Sequence, residues 1–314
     1  MTNTATHLNL ELADYLRVNR ASLSEWLAAI REISGCDDIE CRLHRGGGPV
    51  GNLSSLETDY GRVVCIHVSQ GVDVTGCRTA DPVFLLPLAG DPEVVLQSGK
   101  WQPLKRLVIA RPEDRFNLRL PENSRVMILR QKAGTLDGFS EGGSEWQLSA
   151  CQEVIECYLH HSPFFRDDAH ARAVTGDLFL QLAGIASNEE TPPCECPELD
   201  RRLFKVIEKI RQEPDWEFNL RELANHSGVS ERNLYYLMER ETGITPYRFY
   251  QRDRLIRVRH RIVDCQCEIP HISRYASDEG FSHLGRFAAL YREHFGELPS
   301  ETVQWRRRLQ EIPA

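Results

Sequence analysis

Hydrophobic and polar positions change their rhythm several times along this 314-residue chain. Across residues 10–33, Leu23, Trp26, Leu27 and Ile30 recur at helical spacing and predict helix. Across residues 39–130 the runs shorten to RVVCIHV, PVFLLPL, EVVLQ, RLVIA and RVMILR, divided by Gly, Pro, Asp and Asn. Short apolar runs with close turn residues predict an antiparallel sandwich or barrel. Helical spacing returns across residues 148–186, first in Val154, Ile155, Tyr158 and Leu159, then in Leu178, Phe179, Leu182 and Ile185. The stretch SNEETPPCECPELD, residues 187–200, has no period and carries prolines, which reads as a linker. Almost everything beyond it reads as short helices.

The helical end of the chain repeats itself. Ala224, Gly228 and Ser230 are followed 52 residues later by Ala276, Gly280 and Ser282. Leu234, Leu237, Gly243 and Pro246 are followed 53 residues later by Phe287, Leu290, Gly296 and Pro299, so the second copy holds one extra residue. Each copy has a physical logic. The alanine lets two helices approach, and the glycine ends the first helix in a left-handed conformation. An apolar residue, Val229 or Phe281, plugs the corner, and the serine caps the next helix. That helix then buries Leu234, Leu237 and Met238, or Leu284, Phe287 and Leu290. Two such helix-turn-helix units, at 220–242 and 272–295, would present two recognition helices to successive major grooves, roughly 34 Å apart.

Residues 203–305 resemble the DNA-binding domain of the AraC/XylS family of bacterial transcription regulators. LANHSGVSERNLYYLMERETGITPYRFYQRDRLIRVR and YASDEGFSHLGRFAALYREHFGELPSET carry the likeness, the second being closest to the XylS-like branch. One departure is Tyr275, where the family usually has a smaller aliphatic residue. On the first recognition helix Arg232, Asn233, Tyr236 and Arg240 share the face opposite Leu234 and Leu237. Arg bonds guanine and Asn bonds adenine in bidentate fashion, and the resemblance places base contacts at Arg232, Asn233 and Tyr236. On the second, His283, Gly285 and Arg286 face outward, with Gly285 and Ala289 clearing space around Arg286. Ser230 and Ser282 would direct helix N-termini to phosphates. The arginines of RDRLIRVRHR, between the units, read mostly as a solvated helix face, with one or two against the DNA backbone.

Charge sharpens this division. The chain carries −8 overall, but residues 201–314 hold 20 Lys and Arg against 17 Asp and Glu, leaving 18 against 29 for residues 1–200. A mildly basic end tethered to an acidic one fits an anion-binding module, short of the strongly basic balance of bulk electrostatic binding. No uninterrupted apolar stretch suits a membrane span, and the N-terminus lacks a signal-peptide pattern, so the expected compartment is the cytoplasm. Its ten cysteines are then expected as thiols. The pairs Cys194/Cys196 and Cys265/Cys267 offer four thiolates, but C-x-C is tighter than zinc-finger spacing and the pairs lie in separate segments. No metal or cofactor is expected. Whether either pair has a redox role stays open.

The expected fold is α+β: a cupin-like β-barrel at 36–135 with flanking helices at 148–186, joined by the 187–200 linker to the all-α domain. The resemblance implies that residues 1–190 bind a small effector, such as an aromatic carboxylate, and form a homodimer. RLHRGGGPVGNLSSLETDYGRVVCIHVSQGVDVTG carries this weaker likeness. A buried carboxylate needs a cation, and Arg42, Arg45 and Arg62 are the candidates by position. His67 stands alone and reads as a strand residue, and His44 as a loop residue; the histidine pair of a cupin enzyme is lacking. The expected role is a regulator of double-stranded promoter DNA, acting as an activator beside RNA polymerase. Its alternatives are an enzyme with a fused DNA-binding domain and a constitutive DNA-binding dimer without an effector.

Overall fold

The computed structural model describes residues 11–78, 80–97, 99–132, 144–187, 200–265, 267 and 270–311. The linker expected at 187–200, with Cys194 and Cys196, falls almost wholly outside them.

The near-continuous apolar runs are strands covered on both faces. Strands β1 (Leu16–Ala21), β3 (Gly51–Glu57), β4 (Gly61–Val68), β11 (Arg125–Gln131), β6 (Val83–Ala89) and β9 (Val108–Ala110) form one antiparallel sheet in that order. A second sheet runs β2 (Glu40–Leu43), β5 (Val72–Arg78), β10 (Arg115–Leu120), β7 (Glu93–Leu96) and β8 (Gln102–Pro103). On β4, Ile66 and Val68 point between the sheets, while Val63 and Cys65 point to the helices behind; β11 divides Val126 from Met127 and Leu129 in the same way. The helices behind are α2 (Glu145–His161) and α3 (Asp168–Ala186), whose Ile155, Tyr158, Phe179 and Leu182 complete that second core. A strand apolar on both faces loses its alternation for this reason.

Residues 10–33 are not one helix. The helix α1 (Leu23–Ser34) begins at a capping box between Ser22 and Glu25, and Gly35 ends it at φ 66°. Before it, LRVNRA alternates enough to join the sheet as β1, pairing with β3 through irregular register. The sheet therefore starts at Leu16, and not near residue 36 as expected.

In the helical half, α4 (Arg201–Gln212), α5 (Leu220–Ser227), α6 (Glu231–Thr242) and the start of α7 (Pro246–Asp264) enclose Leu203, Leu223, Leu234, Met238 and Phe249. The end of α7 with α8 (Ile272–Asp278) and α9 (Leu284–Phe295) encloses Val258, Ala276, Phe287 and Tyr291. The last helix, α10 (Pro299–Glu311), returns to the barrel: Trp305 and Leu309 pack into the core beneath α1.

The two halves are joined through α7. Arg252 and Arg259 are buried, which corrects the expectation of a solvated face for this helix. Arg252 is paired with buried Asp14, whose carboxylate also lies 3.1 Å from the His294 ring at the end of α9. Burial works against the Asp14 charge, but Arg252 and His294 outweigh it and hold the carboxyl well below the usual range. Arg259 lies 2.8 Å from Glu297, which also takes Arg17 of β1 at 2.8 Å. Burial pushes Glu297 up, yet Arg259 and Arg17 bring it down to about 2. Arg257 pairs with Asp253 and Glu279, and Arg261 with Asp278. Arg254 stacks on Tyr250 at 5.0 Å and lies against Gly280.

Candidate nucleic-acid interface

In the first copy α5 ends at Gly228, φ 76°, and Ser230 caps α6 by accepting from the Asn233 amide. In the second, α8 runs to Asp278 and the chain turns at Gly280, φ 78°. There a side chain would be strained by the left-handed backbone, and its Cβ would lie 2.4 Å from the Arg254 guanidinium. The extra residue lies within the turn itself. It moves the second N-cap from Ser282 to His283, which makes no side-chain capping bond. Ser282 is exposed in the turn, so the expectation that it caps α9 is corrected.

With the turn counted correctly, Glu231 corresponds to Leu284, Arg232 to Gly285, Asn233 to Arg286 and Tyr236 to Ala289. Leu284 is therefore an outer residue, 48% exposed, and not the buried one expected. Its counterparts in the core are Phe287 and Tyr291, with Leu290 half-buried.

The outer face of α6 carries Arg232, Asn233, Tyr236 and Arg240, all exposed. Arg240 bonds Glu241 and lies 5.8 Å from the Tyr236 ring centroid. The outer face of α9 carries His283, Gly285, Arg286 and Ala289, also exposed. Among the described residues neither Arg232 nor Arg286 has a carboxylate partner, whereas five of the six α7 arginines are in ion pairs. Uncommitted guanidinium groups on two equivalent helix faces are free to meet base edges and phosphates.

The barrel end of the molecule has its own candidate site. A cavity of about 90 Å³ lies between the sheets under α1, lined by Ile33, Leu53, Val74 and Phe116 among others, with Arg62, Arg78 and Arg130 at its edge. Arg62 donates to the carbonyl of Ile33 and to Glu57; Arg130 donates to the carbonyl of Ser34. Both cations thus sit on the C-terminal carbonyls of α1, where the helix dipole favours positive charge. Arg42 and Arg45 are exposed and line no part of this cavity, a correction to their selection by position. Arg130, one residue from the end of β11, was missed because its inward direction depends on strand register. His67 lies on β4, where burial and then Arg125 push its imidazole down. His44 is 2.8 Å from Asp73. No helix among the described residues is long and apolar enough to cross a membrane.

Comparison with known proteins places this geometry. A helix-turn-helix domain model matches residues 223–305. The XylDLEGF operon transcriptional activator 1 of Pseudomonas putida is 30% identical over 285 residues, 88% of this chain and 81% of the relative. The transcriptional activator RhaS of Escherichia fergusonii is 24% identical over 176 residues, 48% of this chain and 61% of the relative. A crystal structure of a probable AraC family transcriptional regulator from Rhodopseudomonas palustris is 31% identical, covering 33% of this chain and 96% of that one, with a TM-score of 0.31. A likeness that spans both halves of the chain, together with the paired helix-turn-helix units, shows that this protein belongs to the AraC/XylS family of transcription regulators.

Proposed function

We propose that this chain is a transcription activator, not an enzyme, which reads double-stranded promoter DNA through α6 and α9 and works in the cytoplasm beside RNA polymerase. In this reading Arg232, Asn233, Tyr236 and Arg286 contact bases, and Arg240, His283 and the Ser230-capped start of α6 contact phosphates. Gly285 lets the α9 backbone approach the groove. The observation that carries the reading is the pair of matched helix faces with uncommitted Arg232 and Arg286. The relatives' roles as transcriptional activators support it.

Residues 1–190 act as the sensor and dimerise through α2 and α3; residues 187–200 link them to the 203–305 DNA-binding domain. The effector is a small carboxylate, aromatic by preference, held under α1. Apolar walls take its body, and Arg62 and Arg130 take its charge. An engineered cavity of about 150 Å³ accepts benzene, so a cavity of about 90 Å³ requires α1 to shift outward. The carboxylate would replace the Ile33 and Ser34 carbonyls on the two arginines, releasing the end of α1. Effector binding then favours the DNA-competent arrangement by its differential affinity.

Binding to DNA upstream of the protein's own and neighbouring genes tests the reading, with Arg286→Ala beside the wild type. The variant is expected to lose about 1–3 kcal/mol of specific affinity and to relax one base position. Absence of sequence-specific binding, with and without aromatic acids, would overturn it.

A further inference from the structure

Two features unused by DNA reading meet at one point: the Cys265-Gln266-Cys267 sequence and the unusual Tyr275. Cys265 is the half-buried C-cap of α7. The Tyr275 hydroxyl on α8 donates to its Sγ at 3.1 Å, and the Cys267 amide donates at 3.3 Å. The Arg306 guanidinium stands close by, donating to the carbonyls of Val263 and Cys265. Donors and a cation around one sulfur favour its thiolate. Burial pushes the Cys265 thiol up, but Tyr275, Cys267 and Arg306 outweigh it and bring it below its ordinary value. The hydrogen bond and charge of Cys265 push the exposed Cys267 thiol up, which favours its protonated form. By contrast, burial pushes the half-buried Cys41 up to about 12.

We infer that Cys265 and Cys267 are a hydroperoxide-oxidised thiol pair that controls the seating of the second helix-turn-helix unit. The Cys265 thiolate attacks the peroxide O–O bond; an S–O bond forms, and the departing alkoxide takes a proton and leaves as alcohol, or as water from hydrogen peroxide. The Cys267 thiol then gives up its proton and attacks the Cys265 sulfur, and the S–O bond breaks with loss of water. Overall two thiols and one hydroperoxide give one disulfide, one alcohol and one water; sulfur is oxidised and peroxide oxygen reduced. With one residue between the cysteines the ring is tight, and such disulfides are the readily reduced, regulatory kind.

Oxidation turns the Cys265 sulfur away from Tyr275. That bond is one of the polar ties between α7 and the α8 region, beside the Arg257–Glu279 pair at the helix end. The others on this side are Arg261, 4.5 Å from the Tyr275 ring centroid, and its 2.7 Å pair with Asp278. Helix α8 has seven residues and one fully buried apolar side chain, Ala276, with Ile272 and Tyr275 only partly buried on the same core, so losing the anchor loosens it. The seat of α9 loosens with it.

The test uses the full chain, wild type and a Cys194→Ser/Cys196→Ser variant, titrated with hydrogen peroxide and read by mass spectrometry after alkylation. The expected result is loss of two hydrogens confined to the peptide with Cys265 and Cys267, at least about tenfold faster than modification of Cys36 or Cys41, and reversed by dithiothreitol. Cys267→Ser should accumulate a sulfenic acid at Cys265, trapped by dimedone, and Tyr275→Phe should slow its formation. Amide exchange across residues 272–278 should quicken on oxidation. Equal reactivity of Cys265 and Cys36, a Cys265 cross-link to Cys194 or Cys196, or unchanged exchange across α8 would each overturn the inference. Reduced protein that binds no specific DNA would refute the DNA-reading role alone, since the thiol and exchange readouts do not depend on it.

Discussion

Asp14→Ala removes the carboxylate at the centre of the contact between the N-terminal segment and the DNA-binding helices. In the native protein that carboxylate meets Arg252 and His294, and all three side chains are buried. Without it Arg252 keeps the Pro163 carbonyl, the His294 ring and the Phe249 ring at 5.7 Å, but among the described residues no ion-pair partner. Breaking a buried ion pair from one side costs about 3–5 kcal/mol, because the remaining charge stays desolvated. Arg252→Met should cost a similar amount, leaving Asp14 with His294 alone. The double variant removes the stranded charge, so its loss should fall below the sum of the single losses by at least about 2 kcal/mol. Urea unfolding followed by tryptophan fluorescence, to which buried Trp26 contributes, measures all three. Amide exchange of β1 should rise first in Asp14→Ala. A loss under about 1 kcal/mol for Asp14→Ala, or strict additivity in the cycle, would refute the reasoning.

Glu297 extends the same contact and sets its acid limit. Its folded value, about 2 against an ordinary 4.5, means the stabilisation is present above pH 4.5 and lost as pH falls toward 2. About 3 kcal/mol should disappear across that window, and Glu297→Gln should flatten the pH dependence of urea midpoints there. Ser230→Ala should cost about 1 kcal/mol and Ser282→Ala within about 0.5 kcal/mol, by thermal unfolding; equal losses would contradict the shifted N-cap. Arg130→Gln should weaken binding of a carboxylate effector by about 1.5–3 kcal/mol in calorimetric titration. A neutral analogue should bind wild type and variant alike.

The sequence shows the paired recognition units because their determinants are local. Gly228 and Gly280 end helices by backbone conformation, and Leu234 and Phe287 follow at fixed spacing. The single inserted residue was visible too, but not its place. Only the observed turn shows that it precedes the cap, and that places Leu284 with Glu231 on the outer face. The α7 arginines misled for a related reason. A run of Arg at helical spacing reads as a wet face, whereas its partners, Asp14 and Glu297, are respectively 238 and 38 residues from Arg252 and Arg259. Tertiary pairing at such separation leaves no periodic trace. Strand β1 was hidden by its length and irregular pairing, and Arg130 by a register that local pattern cannot fix.

The position of α1 makes the two halves depend on each other. One face of the helix, through Ile30 and Ile33, roofs the cavity between the sheets. It also meets α10, whose Leu309 shares its core, and Glu25 near its start lies 3.6 Å from Arg306. Arg306 in turn bonds the carbonyls that end α7, the helix shared by both helix-turn-helix units. An outward shift of α1 over an enlarged cavity therefore cannot leave α10 and the end of α7 in place. Close-packed contacts of this kind do not stretch; they exchange one arrangement for another. In the proposed reading the cavity and the helix-turn-helix units are thus linked through α1, Arg306 of α10 and α7, and a ligand needs only to prefer one position of α1 to bias the other end.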